Sequence, residues 1–299
     1  MTDRTWIGGG NNDASDPNDW SPTGVPLLGD GLLMPDGGTM NIIGNDLVGD
    51  RLQVGNPNNS VDVTLNLSHN ATATVTQVGF SNVQTTVAVA GEDTLNYNSV
   101  FPSSPFVTVN LKPHAKLAAA FDLTFGRLDI SGAPGSQLIN DQGDVFHGTH
   151  VVITPDVLGT GSFAAGGAQA QLGFIEFERS VSSGQNITVS GIMERGPGTL
   201  QIDEPRKFHA SVTLQGLSQI DLVGLAKADS YTYAKDMLSI YSHNRVIDTL
   251  RLTNQSGAFA SDPPHDLLIS KSGSNVWVTE QGLSSPPPGS IQLPLHMFV

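Results

Sequence analysis

Apolar residues return about every 22 positions between residue 39 and roughly residue 180, and they do so in three separate columns. One column is Ile42, Leu65, Val87, Val109, Ile130, Ile153 and Ile175, in steps of 21 to 23 residues. A second is Ala73, Leu95, Leu117 and Leu138, and a third, looser one is Val78, Val100, Leu123 and Val145. Around these positions apolar and polar residues alternate, as in Val63-Thr64-Leu65-Asn66-Leu67 and Val107-Thr108-Val109-Asn110-Leu111. A period of two marks a strand with one buried face. Gly, Asn, Pro and Ser between the runs mark corners. A fixed long period is the signature of stacked repeats. Three inward strands per period predict an all-β, three-sided parallel β-solenoid, right-handed by the usual hand of parallel crossovers. Each coil leaves an apolar edge that the next must cover. Seven coils at roughly 4.8 Å each predict a rod of about 34 Å.

The same pattern divides the chain. Residues 1–38 are turn-rich and hold Trp6, Trp20, Leu32 and Leu33. They read as an N-terminal cap over the open edge of the first coil. Residues 39–216 are the coils, with spacing that drifts after residue 180. Residues 217–280 carry strand patterns such as Gln219–Val223, Met237–Tyr241 and Val246–Leu252 and read as a C-terminal β module. Residues 281–299 are a Pro-rich linker, Ser284-Ser285-Pro286-Pro287-Pro288-Gly289, and an alternating tail. Its Ile291, Leu293, Leu295, Met297 and Val299 form a strand pattern with no sequential partner, suited to completing the sheet of a neighbouring copy, to docking on its own solenoid or to serving as a secretion signal.

Composition narrows the partners. The chain carries 28 acids against 14 bases, a net charge of −14. A nucleic-acid partner needs a basic footprint, and none is visible. Aromatic residues make up only 6% of the chain, which predicts a narrow aliphatic core. No cysteine is present, excluding disulfides and thiolate chemistry. The first residues lack the basic and apolar regions of a Sec-type leader. No run of 18 apolar residues predicts a transmembrane segment.

Four sets of residues could carry chemistry. Glu176 and Glu178 alternate with Ile175 and Phe177, so both acids point outward roughly 7 Å apart, near the spacing of an inverting glycosidase pair. A solvated strand face explains the same residues. Asp144, His147 and His150 have metal-compatible side chains in an unspecific spacing. Asp13, Asp16 and Asp19 crowd three carboxylates into one loop, where Ca2+ or plain Asx-turns would account for them. The outward residues Thr64, Thr86 and Thr108 begin a flat threonine ladder of the kind that ice-binding solenoids present. The ladder is expected to run on through Asp129, Val152 and Phe174, which spoils the array. Stacking of threonines is a sufficient structural reason for it. No Gly-x-Ser-x-Gly elbow is present.

The opening run Trp6-Ile7-Gly8-Gly9, Asn12-Asp13, Asp16-Pro17-Asn18-Asp19-Trp20-Ser21-Pro22, Val25-Pro26 and Gly29-Asp30 resembles the first segment of bacterial secreted or surface β-helix proteins, the autotransporter-passenger-like and haemagglutinin-like chains. Ile220-Asp221-Leu222, Ala228 to Tyr233, Leu238 to Tyr241 and Leu250-Arg251-Leu252 resemble a C-terminal module of similar proteins. The resemblance implies an extracellular or cell-surface setting, bacterial or on a virion, and transfers no catalytic residue. The leading expectation is a non-catalytic structural or adhesive solenoid that self-assembles as a homo-oligomer or polymer, or attaches to a surface. The alternatives are a β-helix that binds or cleaves a surface polysaccharide and a phage tail or capsid decoration protein.

Overall fold

The computed structural model describes residues 2–9, 11–44, 47–54, 62–80, 84–96, 106–120, 122–166, 173–191, 197–254, 267–280 and 287–295. It is 61% strand, with no α-helix among the described residues, and its parallel sheets wind into a β-solenoid of about 6 turns, against the seven expected. Two short 3-10 turns, Pro17–Asp19 and Pro205–Lys207, are the only departures from strand and loop among the described residues.

Three faces follow from the pairing. The first holds Gly38–Ile43, Asp62–Ser68, Gln84–Val89 and Phe106–Leu111, then the later halves of the long strands Asp122–Gly132 and Gly143–Ile153. It continues through Phe174–Phe177, Gly198–Ile202 and Ser218–Leu222. The second face includes Lys116–Ala120, Gln137–Ile139 and Asp156–Leu158. The third begins with Asp3–Trp6 and Gly31–Met34. It ends with Ser162–Ala165, Asn186–Gly191 and Ser211–Gly216.

The columns read from the period are right in their middle and slip elsewhere. Leu65, Val87, Val109, Ile130 and Ile153 do stack on the first face. Leu65 is preceded by Met40, however, while Ile42 meets Leu67. Ile153 is followed by Phe177, and Ile175 meets Val151. On the second face Leu95 pairs with Ala119, and Leu117 with Asp93. These slips are by two residues, which keep every apolar side chain on the same face, so alternation cannot reveal them. The third column contains a slip by one. Leu123 pairs with Phe146, and Val145 pairs with Asp122. A one-residue slip reverses the face: Phe146 is fully buried and Val145 half-exposed. Val100 lies outside the described residues.

The core around Leu65, Val87 and Val109 is aliphatic. The later coils hold a chain of rings, Phe146–Phe163 at 6.4 Å, Phe163–Phe177 at 5.4 Å and Phe177–Phe208 at 5.9 Å. All four are at most 2% exposed. Each fully buried ring contributes about 1.5–3 kcal/mol in transfer free energy. Few aromatics in the whole chain thus do not exclude rings from the core.

One corner is held by an internal amide ladder. Gln185 Nε2 donates to the carbonyls of Asn140 at 2.7 Å and Leu158 at 2.9 Å, and Asn140 Nδ2 donates to Gln185 Oε1 at 3.2 Å. Both residues are fully buried, so these bonds satisfy groups that water cannot reach. Gly159 packs against this corner with φ +97°, and a Cβ there would lie 2.2 Å from the Asn140 carbonyl oxygen.

Both ends are closed by antiparallel strands. At the start, Asp3–Trp6 pairs with Trp20–Ser21, and the Trp6 and Trp20 rings meet edge to face at 5.1 Å. Arg4 Nε and Asp30 Oδ2, 2.7 Å apart, fasten this segment. The cap is also part of the sheet, since Asp3–Trp6 and Gly31–Met34 pair in parallel. At the far end Asn275–Glu280 runs antiparallel to Ser218–Leu222 on the first face. Arg245–Asn254 pairs in parallel with Ser211–Gly216 and, on its other edge, antiparallel with Met237–Ser242.

The described part of the tail closes on its own chain. Ile291–Gln292 pairs antiparallel with Lys271 and Ser270. Leu293 donates its amide to the Ile269 carbonyl at 2.8 Å and is 6% exposed. Tyr231 donates to the Pro294 carbonyl at 3.1 Å, and Leu295 bridges to Tyr231. In this structure Ile291, Leu293 and Leu295 pair with the chain's own module, the self-docked arrangement among those the sequence leaves open. Met297 and Val299 lie outside the described residues.

Candidate functional site on the first face

With the register known, three outward columns can be traced along the first face. The middle one runs Thr39, Thr64, Thr86, Thr108, Asp129, Val152, Glu176, Gln201 and Asp221, with Trp277 beside Asp221. The threonine ladder therefore leads to Glu176, not Phe174. Phe174 belongs to the neighbouring column, Phe106, Arg127, His150, Phe174, Thr199 and Gln219. On the other side stand Asn41, Asn66, Ala88, Asn110 and Ser131. The ladder bonds that follow place Thr154, Glu178 and Asp203 in the same column.

Glu176, Glu178 and Asp203 thus meet on adjacent strands. The Gln201 side-chain amide donates to Glu176 Oε1 at 2.7 Å and to Asp203 Oδ1 at 2.9 Å. One nitrogen holds two carboxylates together. The Glu176 carboxyl is pushed up to about 7. Burial is the largest cause, followed by the charges of Asp203 and Glu178 and a hydrogen bond with Asp203, while Arg127 acts the other way. A carboxyl in this position is partly protonated at neutral pH.

The surroundings are graded. Asp221 is 5% exposed and pushed up to about 6, mainly by burial. The Asn275 amide, 3.0 Å from Oδ2, opposes that rise, and the Asp203 charge adds to it. Among the described residues nothing donates to Asp221 Oδ1. Arg127 pairs with Asp129 through Nε at 2.7 Å and 2.9 Å, which holds the guanidinium in its charged form. The His150 ring stacks on Phe174 at 4.5 Å. Burial and then the Arg127 charge lower its pKa, against the Asp129 charge. Phe106 is 56% exposed. Beyond Asp203 the face opens into a cleft of about 330 Å³, lined by Asp203, Glu204, Arg206, Lys207, Val223 and Leu225 among others. Lys207 Nζ and Glu204 Oε2 are 2.8 Å apart on its rim.

The other sequence candidates are not assembled. Asp13 Oδ1 accepts from the Ser15 amide at 2.9 Å and Asp16 Oδ1 from the Asn18 amide at 2.9 Å, each closing an Asx-turn. Asp19 is 1% exposed and packs against Gly9. Burial, then Asp16, raises its pKa, and the Asp13 backbone amide lowers it. Asp144 is buried on the inward side, whereas His150 faces outward, so they cannot share an ion. The His147 side chain lies outside the described residues. No three His, Cys, Asp or Glu side chains are grouped as a metal ion requires, among the described residues.

Sequence spacing found Glu176 and Glu178 and missed Gln201, Asp203 and Asp221. Gln201 lies 25 residues from its hydrogen-bonded partner Glu176, longer than the period that organises the earlier coils. A search allowing longer coils would have aligned them. No protein-family model matches the chain, and no curated protein matches it. Among the described residues no helix is long and apolar enough to cross a membrane.

Proposed function

We propose that the protein is an extracellular adhesive β-solenoid that holds a polysaccharide along its first face. The observation that carries this reading is the pairing of two columns, Phe106, Arg127, His150 and Phe174 beside Asp129, Glu176 and Gln201. Aromatic rings offer flat apolar area to the C–H side of a sugar ring. Carboxylates and amides next to them accept and donate the hydrogen bonds that hydroxyl groups need. The excess of acid on this face and the net charge of −14 favour a neutral or amine-bearing polymer over an anionic one.

Self-assembly has less to stand on. The described tail is seated on its own module, and antiparallel strands occupy both solenoid ends. Affinity electrophoresis through gels containing neutral, amine-bearing and uronic-acid polysaccharides tests the proposal. Retardation by a neutral or amine-bearing polymer, reduced in Phe106→Ala and Phe174→Ala, is the expected result. Equal mobility in every gel would sink it. Particle mass measured at several concentrations separates this reading from assembly, which predicts growth with concentration.

A further inference from the structure

We propose that the far end of the solenoid is an acid-tightened latch, in which the strand Asn275–Glu280 is seated on the last rung of the first face through Asp221 and loosens from it when that carboxyl loses its proton. The device lies at the end of the face and does not depend on what the face binds.

The geometry starts with the covering strand. In the antiparallel register Ile220 meets Val278 and Leu222 meets Val276, and all four side chains are fully buried. Alternation then sets Asp221 and its partner Trp277 on the other side of the pair. Asp221 is nonetheless only 5% exposed. The one donor to its carboxylate among the described residues comes from the covering strand itself, where Asn275 Nδ2 lies 3.0 Å from Oδ2. Oδ1 is buried and receives no hydrogen bond among the described residues. The rung beneath accounts for the gap. Gln201 stands beside Asp221 in the parallel register, but its amide nitrogen is given to Glu176 at 2.7 Å and to Asp203 at 2.9 Å.

No positive charge relieves the site. The strands packed most closely against Ser218–Leu222 are Gly198–Ile202, Asn186–Gly191, Ser211–Gly216 and Asn275–Glu280. Glu280, at the end of the covering strand, is the one ionisable residue in these four. Asp203 follows Gly198–Ile202, and its negative charge acts on Asp221. Lys271 lies on the strand that pairs with the outer edge of Asn275–Glu280, and its ammonium donates to the carbonyls of Ala226 and Ala228. The other seat of the C-terminal module, Arg245–Asn254 on Ser211–Gly216, provides a contrast. Its buried Asp248 is faced by Arg206, whose charge favours the ionised form.

A buried carboxylate with one donor and a like charge nearby is favoured in its neutral form. The Asp221 carboxyl is accordingly pushed up to about 6, with burial as the main cause. With the covering strand lifted, it returns to water and to the ordinary carboxyl range near 4. The closed form therefore binds the proton more tightly than the open one. Its contribution to closure is complete below about pH 4 and is lost as pH rises through about 6. The opening equilibrium should shift about tenfold between pH 5 and pH 8. Opening uncovers Ile220 and Leu222 and frees the outer edge of Ser218–Leu222.

Hydrogen exchange of the full chain, read by mass spectrometry at about pH 5 and about pH 8 and corrected for the intrinsic effect of pH on exchange, tests the latch. Protection of residues 275–280 is expected to fall about tenfold across this range, while that of residues 106–111 holds. Asp221→Asn should keep 275–280 protected at both pH values, and Asp248→Asn should leave the fall as it is in the unaltered chain. Asn275→Ala, which removes the donor from Asp221, should lower protection further at the higher pH. Equal protection of 275–280 at both pH values overturns the proposal. So does a fall that survives in Asp221→Asn, or one shared equally by residues 106–111, which would report loosening of the whole solenoid.

Discussion

From Thr39 to Thr108 the middle column of the first face is threonine at each rung, and asparagines stand at Asn41, Asn66 and Asn110 beside it. From Glu176 to Asp221 the same column reads Glu, Gln and Asp, with Glu178 and Asp203 alongside. The backbone beneath is one continuous parallel ladder. In the first region neighbouring rungs satisfy one another, as where Asn66 Nδ2 donates to Asn41 Oδ1 at 2.9 Å and Ser131 Oγ to Asn110 Oδ1 at 2.6 Å. In the second, like charges are held on adjacent strands, which a sheet disfavours. Local rules are broken mainly where function requires it. The neutral rungs serve the fold, and the acidic rungs oppose it. The core differs in parallel, with a chain of phenylalanine rings set among the aliphatic side chains of the later coils.

Removing the aromatic support should have the largest effect. Phe163→Ala is expected to lower the free energy of unfolding by about 3–5 kcal/mol in chemical denaturation. A loss below about 1 kcal/mol would mean that the rings do not hold the later coils together.

Acidity comes next, and its sign follows from the raised carboxyls. Glu176 at about 7, and Asp221 and Asp248 at about 6, bind protons in the folded chain more tightly than in the unfolded one. Stability should therefore rise as pH falls from about 8 toward the ordinary carboxyl range near 4. Asp30 has the opposite sign. Its hydrogen bond with Arg4 lowers its pKa, so its contribution is lost in more acid solution as pH falls through its folded value. Melting curves between pH 3 and 8 should peak at mildly acid pH, and the rise should flatten in the double variant Glu176→Gln with Asp221→Asn. A maximum at pH 8 would contradict the charge arrangement.

Two smaller changes separate the regions directly. Asn66→Ala should cost about 0.5–1.5 kcal/mol, the net worth of an ordinary hydrogen bond, because it breaks a satisfied rung. Glu178→Gln should instead stabilise the chain by about 0.2–1 kcal/mol, by removing a like-charged neighbour. If both variants were destabilised equally in the same denaturation assay, the two regions would not differ as described.

The sequence carried the solenoid because every coil must bury an apolar column, and Leu65, Val87, Val109 and Ile130 keep the period that this imposes. It carried the faces less well than the repeat. A strand shifted by two residues buries the same side, so the displacement of Ile42 and Ile175 left no trace in the alternation. Val145 misled for the opposite reason, since Phe146 next to it is also apolar and only packing decides between them. Glu176 and Glu178 were visible as an outward pair. Their meeting with Asp203 was not, because coil length grows in the later turns and nothing local marks the added residues. The tail was legible as a strand, but a period-two pattern does not say whose edge it will join.

The antiparallel strands at the two ends have a consequence for how such a molecule can change. Since antiparallel strands cover the third face at the start and the first face at the far end, the interior behaves as a ruler whose length is the number of rungs. Duplicating residues 87–108, one coil of the neutral region, would add about 4.8 Å of track and leave both end structures as they are. Gene duplication within the chain could thus lengthen the reach of the face in equal increments, independently of whatever the acidic rungs do.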